Sequence, residues 1–416
     1  ETEWNRAQIT ALMWADPKRA LSHGEHALEL ARAIHDKELE ARCLSHLGLI
    51  HIFGGDFEEG MDCLETSLAL YALLRNEQIA ARELSLPSFV IGAPLTQPLT
   101  NRATEALCWA LLSFAQIHAG QLHNSICSGR RALALSQEIK NVWAQVNSTQ
   151  SLTQGLLDAG VYEEALALMQ DGMALARTLP PTLNFMSFLA VLGRTYHAVQ
   201  WWEEARSTLE EAEAVAKTLD LGLHHVPVFS QLCMHYVQAG EWEAAYRYAV
   251  KAIALRKSRD EALIPWDFYS HYETEALLRG GDESQARAAV QQLGERLGNY
   301  QRYRLPYLRA RARLSAWEGQ SEQAINHLRE AAGLAVDLGL PAEQWQIQAD
   351  LASVYEAGGE PVQAHTAWAK ASTIIQGLAQ DIKDEALRSR FLAGAQIRPV
   401  MQQALRNVNQ VPKDHA

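Results

Sequence analysis

A single spacing limits what this chain can fold into. A short turn followed five residues later by a small side chain recurs from end to end, most plainly in GVYEEA (Gly160 to Ala165) and GEWEAA (Gly240 to Ala245). With Ala15, Gly55, Gly120, Gly160, Gln200, Gly240, Gly281, Gly319 and Gly359 as turn positions, the successive intervals are 40, 65, 40, 40, 40, 41, 38 and 40 residues. A fixed period of this size means stacked supersecondary units, not the two or three separate globular domains that 416 residues alone would imply.

The residues around each turn say what the units are. Five places after it stand Ala20, Gly60, Ser125, Ala165, Ala205, Ala245, Ala286, Ala324 and Ala364, all small. Twelve places after it stand Ala27, Ser67, Ala132, Gly172, Ala212, Ala252, Leu293, Ala331 and Ala371, small in all but one case. Small side chains let two helices approach closely, as ridge-into-groove packing requires. Eight places before the turn lie Ala7, Leu47, Leu112, Leu152, Leu192, Leu232, Glu273, Arg311 and Leu351, mostly bulky apolar residues; Glu273 and Arg311 break the run. Each unit therefore reads as two antiparallel helices joined at a residue that tolerates a left-handed backbone. The 65-residue interval holds an insertion at about 85–101, where Pro87, Gly92, Pro94 and Pro98 forbid a continuous helix. That insertion reads as a surface loop or, through Phe89, Val90 and Ile91, as a flap over a groove.

The arrangement resembles the tetratricopeptide repeat, most clearly in Leu189, Leu192, Gly193, Tyr196, Ala205 and Ala212, with Gln200 in place of the turn glycine. It departs from that family in lacking the proline that ends the second helix and in its longer period. The resemblance implies an all-α fold: a right-handed α-solenoid of about nine antiparallel helix pairs over residues 1–380. A capping helix is expected over 381–405 and a disordered tail over 406–416. Since no pair buries its apolar face alone, neighbours supply most of the stability.

Charge and cysteine content narrow the setting. A formal net charge of -12 argues against direct binding of nucleic acid or anionic membrane. Five cysteines (Cys43, Cys63, Cys108, Cys127, Cys233), odd in number and without CxxC pairing, fit free thiols in a cytoplasmic compartment. There is no apolar run long enough to span a bilayer, and the start ETEWNRAQ lacks the pattern of a signal peptide. The chain opens without Met, as a fragment of a longer protein would.

Sites for chemistry are not apparent. GxxxxGK[ST], HExxH, GxSxG and the dinucleotide turn are all missing, so the chain reads as non-catalytic and without a cofactor. Among fifteen histidines, His23 with His26 and His224 with His225 lack a third ligand at a recognisable spacing, and no metal is expected. The tryptophan pair Trp201 and Trp202 reads as packing at a turn.

In the tetratricopeptide family the first helix of each pair lines the concave surface. Carried onto this chain, that places Asn147, Gln150, Gln154 and Asp158 on one stripe, followed by Arg194 and His197, Ser230 and Met234, His271, Glu275 and Arg279, then Arg309 and Arg313. The segment QRYRLPYLRARAR concentrates Arg302, Arg304, Arg309, Arg311 and Arg313 in an acidic protein. It reads either as a salt-bridged surface or as an anion site for an acidic peptide, a nucleotide or a facing acidic domain. The expected occupant of the groove is a protein or peptide segment, or a small-molecule inducer.

The closing stretch is similar to that of tetratricopeptide regions in bacterial signalling ATPases and nucleotide cyclases, through Asp384, Leu387, Arg388, Phe391, Leu392 and Ile397. This resemblance implies the sensor or interaction arm of a larger regulator, with self-association between resting and active oligomers. A free-standing adaptor or peptide receptor is the alternative.

Overall fold

The computed structural model describes residues 17–76, 89–90, 93–94, 101–179, 183–219, 225–257, 271–298 and 300–406. Residue Ala15 and the first helix of the first unit therefore lie outside the described residues, as does the tail beyond 406. The described helices are α1 (Pro17–Ala33), α2 (Lys37–Gly54), α3 (Phe57–Asn76), α4 (Asn101–His118), α5 (Leu122–Glu138), α6 (Val142–Asp158), α7 (Tyr162–Ala176), α8 (Leu183–Ala198) and α9 (Trp202–Leu219). They continue with α10 (Val226–Ala239), α11 (Trp242–Lys257), α12 (His271–Arg279), α13 (Glu283–Arg296), α14 (Gln301–Trp317), α15 (Ser321–Asp337), α16 (Pro341–Ala357), α17 (Pro361–Asp381), α18 (Glu385–Leu392) and α19 (Ile397–Arg406). Helices α2 to α17 form eight consecutive pairs in a helical-repeat superhelix, with α1 as the second helix of the pair before them. Of the insertion, Phe89–Val90 and Ala93–Pro94 form a two-residue antiparallel pairing with Phe89 opposite Pro94. Its reading as a flap falls largely outside the described residues.

Each turn position in the described pairs adopts the left-handed backbone that the repeat requires. Gly55, Gly120, Gly160, Gly240, Gly281, Gly319 and Gly359 have φ between 74° and 86°, and Gln200 has φ 65°. At every one the same two bonds close the first helix: at Gly240, for example, its own N donates to Val237 O (3.1 Å) and Glu241 N donates to Tyr236 O (2.8 Å). The small residues behind the turn are buried, with Ala20, Ala165, Ala205, Ala245, Ala286, Ala324 and Ala364 all at 0% exposure, so a larger side chain there would force the paired helices apart.

The two exceptions eight places before the turn differ. Glu273 lies where most units have leucine, and it is buried against Arg256 of the preceding second helix. Arg311 is half-buried.

Beyond neighbour packing, the superhelix closes on itself. Turns of early pairs meet connections some five pairs later. Phe57 N donates to Tyr300 Oη (3.2 Å), with their rings edge-on at 4.8 Å. Gly120 abuts Leu338, and Gly160 abuts Pro341 and Leu378. Tyr303 Oη shares a hydrogen bond with His118 Nδ1 (3.0 Å). One apolar core accordingly holds Leu152 and Leu156 of α6 together with Leu305 and Leu308 of α14 and Phe391 of α18.

This stack is testable at two glycines of equal backbone geometry. Gly160 and Gly240 both have φ +76°, but a Cβ on Gly160 would lie 2.3 Å from Leu378 Cδ2, whereas one on Gly240 meets nothing within 4 Å. Gly240→Ala is expected to cost about 1–2 kcal/mol from the left-handed backbone. Gly160→Ala should cost ~1–3 kcal/mol more from overpacking. Equal costs in urea unfolding would contradict the stacked arrangement.

The segment read as one capping helix over 381–405 contains two, α18 and α19, because the chain bends at Gly394. A Cβ there would stand 2.4 Å from Gln200 Cγ. Gln200 Oε1 in turn accepts from Gln396 N (3.2 Å), and Arg390 pairs with Glu204 (2.7 Å). Asp384 caps α18 by accepting from Leu387 N (2.7 Å), while Leu387, Phe391 and Ile397 are buried. Glutamine at the turn of the fifth unit is thereby explained, since its side chain holds the cap. Among the described residues, no helix is long and apolar enough to cross a membrane.

Candidate functional site

The first helices of successive pairs bring their inner faces together at the centre of the superhelix. There they line a half-open cavity of about 200 Å³, with walls from α6, α8, α10, α12, α14 and α16, Tyr162 of α7 and Trp202 of α9, and with Phe391 and Gln396 of the cap region also in its lining. Its wall has two chemical halves, one ionic and one neutral.

The ionic half is a ladder. Asp158, at the end of α6 and 4% exposed, accepts from Arg194 of α8 (2.5 Å) and Arg302 of α14 (3.2 Å). Arg302 also reaches Glu343 of α16 (3.4 Å). Arg309 donates to Glu343 (2.8 Å), Asp350 (3.0 Å) and Gln346 (3.1 Å). Arg313 pairs with Asp350 (2.6 Å) and faces Glu275 of α12 (3.7 Å). Four guanidinium groups thus meet four carboxylates. Burial works against the charge on Arg302 and Arg309, but Asp158 and Glu343 for the first, and Asp350 and Glu343 for the second, outweigh it and hold both protonated. Of the two readings of the arginine cluster, the ion pairs accord with the salt-bridged one at Arg309 and Arg313, since both guanidinium groups have carboxylate partners within the fold.

The neutral half comes from α8, α10 and α12. His197 Nε2 shares a hydrogen bond with His235 Nδ1 (3.0 Å), and its ring lies 4.8 Å from that of Trp202. Burial, reinforced by His235, pushes His197 down to about 3. Burial, then Arg309 and Arg313, pushes His271 well below the usual imidazole range. Both rings are therefore uncharged at neutral pH, each with one donor and one acceptor nitrogen. Among the described residues, His197 Nδ1, His271 Nε2, Gln231 Oε1 and Gln238 Oε1 are buried atoms without a hydrogen-bond partner. All four side chains line the cavity, beside Met234, Trp202, Tyr272 and Trp345.

Seven of the residues expected on the concave face line this cavity: Asp158, Arg194, His197, Ser230, Met234, His271 and Arg309. The other six do not. Asn147 Nδ2 donates to Trp143 O (2.9 Å) and Gln150 Nε2 to Asn184 O (3.3 Å), both within the fold. Gln154 is buried away from the cavity, because α8 packs over the stripe on α6. Glu275 and Arg313 form its outer ion pairs, and Glu275 also accepts from Arg279 (3.2 Å).

Sequence reasoning passed over Glu343, Trp345, Gln231 and Gln238. A signal for the first was available. Arg302 and Arg309 are seven apart, as are Glu343 and Asp350, and each pair is offset by 41 residues, about one repeat. Matched seven-residue spacings one unit apart mark facing stripes on neighbouring first helices. Trp202, read as packing, lines the cavity, whereas Trp201 packs as expected, stacked on Tyr196 at 5.8 Å beneath Arg390.

No family model and no curated protein matches the chain. Solved structures do. The chain is similar to a Rap protein complexed with competence and sporulation factor, at 14% identity and a TM-score of 0.52, covering 91% of this chain and 85% of that one. It is similar to the apo quorum sensor NprR from B. thuringiensis, at 10% identity and a TM-score of 0.51, covering 90% and 97%. The apo form of RapI matches at 9% identity and a TM-score of 0.50, covering 91% and 98%. At these identities the likeness is one of fold, a helical-repeat superhelix followed over almost the whole chain.

Proposed function

We propose that the chain is a non-catalytic binding scaffold, the sensor or interaction arm of a larger bacterial signalling or transcriptional regulator, whose ligand seats in the central cavity. The observation that carries this reading is a set of four buried polar atoms without a partner, all on side chains that line the cavity and two of them on neutral imidazoles. A buried polar atom left unpaired costs about 1–3 kcal/mol, which a matching ligand would recover. With the arginines already neutralised, the complementary group is an uncharged polar one. Fold likeness to a quorum sensor and to a Rap protein bound to its factor is consistent with a sensing role; the larger regulator rests on the sequence resemblance of the closing segment, through Asp384, Leu387, Arg388, Phe391, Leu392 and Ile397, to that of bacterial signalling ATPases and cyclases.

The alternative is a free-standing receptor that clasps an extended peptide. The size of the cavity, about 200 Å³, favours the first reading, because it is small beside an extended peptide. A short peptide contributing one polar side chain remains compatible with that space.

A thermal-shift screen of the chain against small uncharged polar compounds and short peptides tests this. A ligand at 100 times its Kd should add ~2.7 kcal/mol of stability. In Met234→Trp, which fills the cavity, the same ligand should add almost nothing. Hits whose shift survives that change would place the binding site elsewhere.

A further inference from the structure

Away from the cavity, at the turn between α2 and α3, three side chains of different chemistry converge. His51 lies in the last turn of α2, while Glu59 and Cys63, four residues apart, share a face of α3. One ligand atom from each lies within 4.8 Å of those of the other two. Asp56, whose Oδ2 is 3.6 Å from His51 Nδ1, adds a carboxylate beside the ring. We propose that His51, Glu59 and Cys63 form a binding site for a divalent transition-metal ion of the zinc class, with solvent completing the tetrahedron.

The donor set makes the choice of ion. A thiolate and an imidazole select zinc-like cations over magnesium or calcium, which take oxygen ligands. Bond lengths of about 2.0–2.3 Å put tetrahedral ligand atoms roughly 3.3–3.8 Å apart, so atoms now within 4.8 Å of one another would need to draw in by roughly 1–1.5 Å at most to close on an ion. Access is open, since Glu59 is exposed and His51 and Cys63 are half-buried. Binding displaces the thiol proton to solvent and leaves every oxidation state unchanged. The location matters to the fold as well: the ion would clamp the end of α2 to the start of α3, next to Phe57, whose amide meets Tyr300 where the superhelix closes.

The test uses the whole chain, stripped of metal by a chelator and titrated with Co²⁺ and then Zn²⁺. One equivalent of Co²⁺ is expected to produce near-ultraviolet thiolate-to-cobalt absorption, which Zn²⁺ abolishes. Cys63→Ser should lose the band, His51→Ala should weaken binding tenfold or more, and Cys127→Ser should behave as the unaltered chain. The last control counts because Cys127 is an exposed thiol with its Sγ 3.7 Å from His123 Nε2. A second measurement needs no variant: bound Zn²⁺ should slow alkylation of Cys63 at least tenfold. An absent band, a band that survives Cys63→Ser, or a Cys63 alkylation rate indifferent to Zn²⁺ would overturn the proposal.

Discussion

Glu273→Leu is expected to destabilise the chain by about 3–5 kcal/mol, although leucine is the residue that most other units carry at this position. The carboxylate is 2% exposed and receives two bonds from Arg256, also 2% exposed, one of them at 3.0 Å. Arg256 also donates to Ser230 Oγ (2.7 Å), a neutral group. Leucine fits the space but removes the carboxylate that bonds this guanidinium twice. The double change Arg256→Met with Glu273→Leu should recover most of the loss or surpass the starting stability, since apolar residues of similar volume often replace a buried pair without cost. Urea unfolding of both variants decides it: a single change costing less than about 1 kcal/mol would mean that Arg256 finds solvent.

The second large effect is expected at Asp158, whose carboxylate bonds both Arg194 of α8 and Arg302 of α14. Asp158→Asn keeps the shape and removes the charge, leaving two guanidinium groups facing a neutral amide. A loss of ~3–5 kcal/mol follows, with release of α14 from α6. Burial alone would push the Asp158 carboxyl up, but Arg302 and Arg194 outweigh it and hold it below the ordinary range. A depressed folded pKa contributes stability above the unfolded value of about 3.9 and loses it as pH falls through the folded value. The unaltered chain should therefore stay closed at pH 5 and open only under strong acid. Asp158→Asn should be more open at every pH above that acid step, converge with the unaltered chain below it, and lack the step itself. Small-angle scattering against pH reads this, and identical profiles for both proteins would refute the role of Asp158 in closure.

How much of this was legible in the sequence depends on distance along the chain. The turns were, because a left-handed backbone demands glycine or an equivalent at a fixed period, and Gly55 through Gly359 keep it. The buried small residues were too, since close helix packing leaves no choice at Ala165 or Ala245. The closure was not. Contacts such as Gly160 with Leu378 depend on how small rotations accumulate over five pairs, and no local pattern encodes that sum. The same limit explains the site. Asp158, Arg194, His197, Met234, His271 and Arg309 follow from helical phase within one unit. Whether Gln154 faces a cavity or a neighbouring helix is settled by inter-unit packing. Gln200 stood out only as a missing glycine, and its partner at Gln396 became visible once the chain had wound back upon itself.

That return changes what kind of polymer the chain is. An open solenoid behaves as a one-dimensional array, in which terminal units fray first and each repeat is lost at the expense of a single neighbour. Here the second, third, fourth and fifth units are bound to the connections after the seventh, eighth and ninth and to the cap. Loss of the cap would expose the turn of a unit in the middle of the sequence, so order at the two ends is coupled through space. Anything that bound at the centre of such a closed stack would bias units from both halves of the sequence at once.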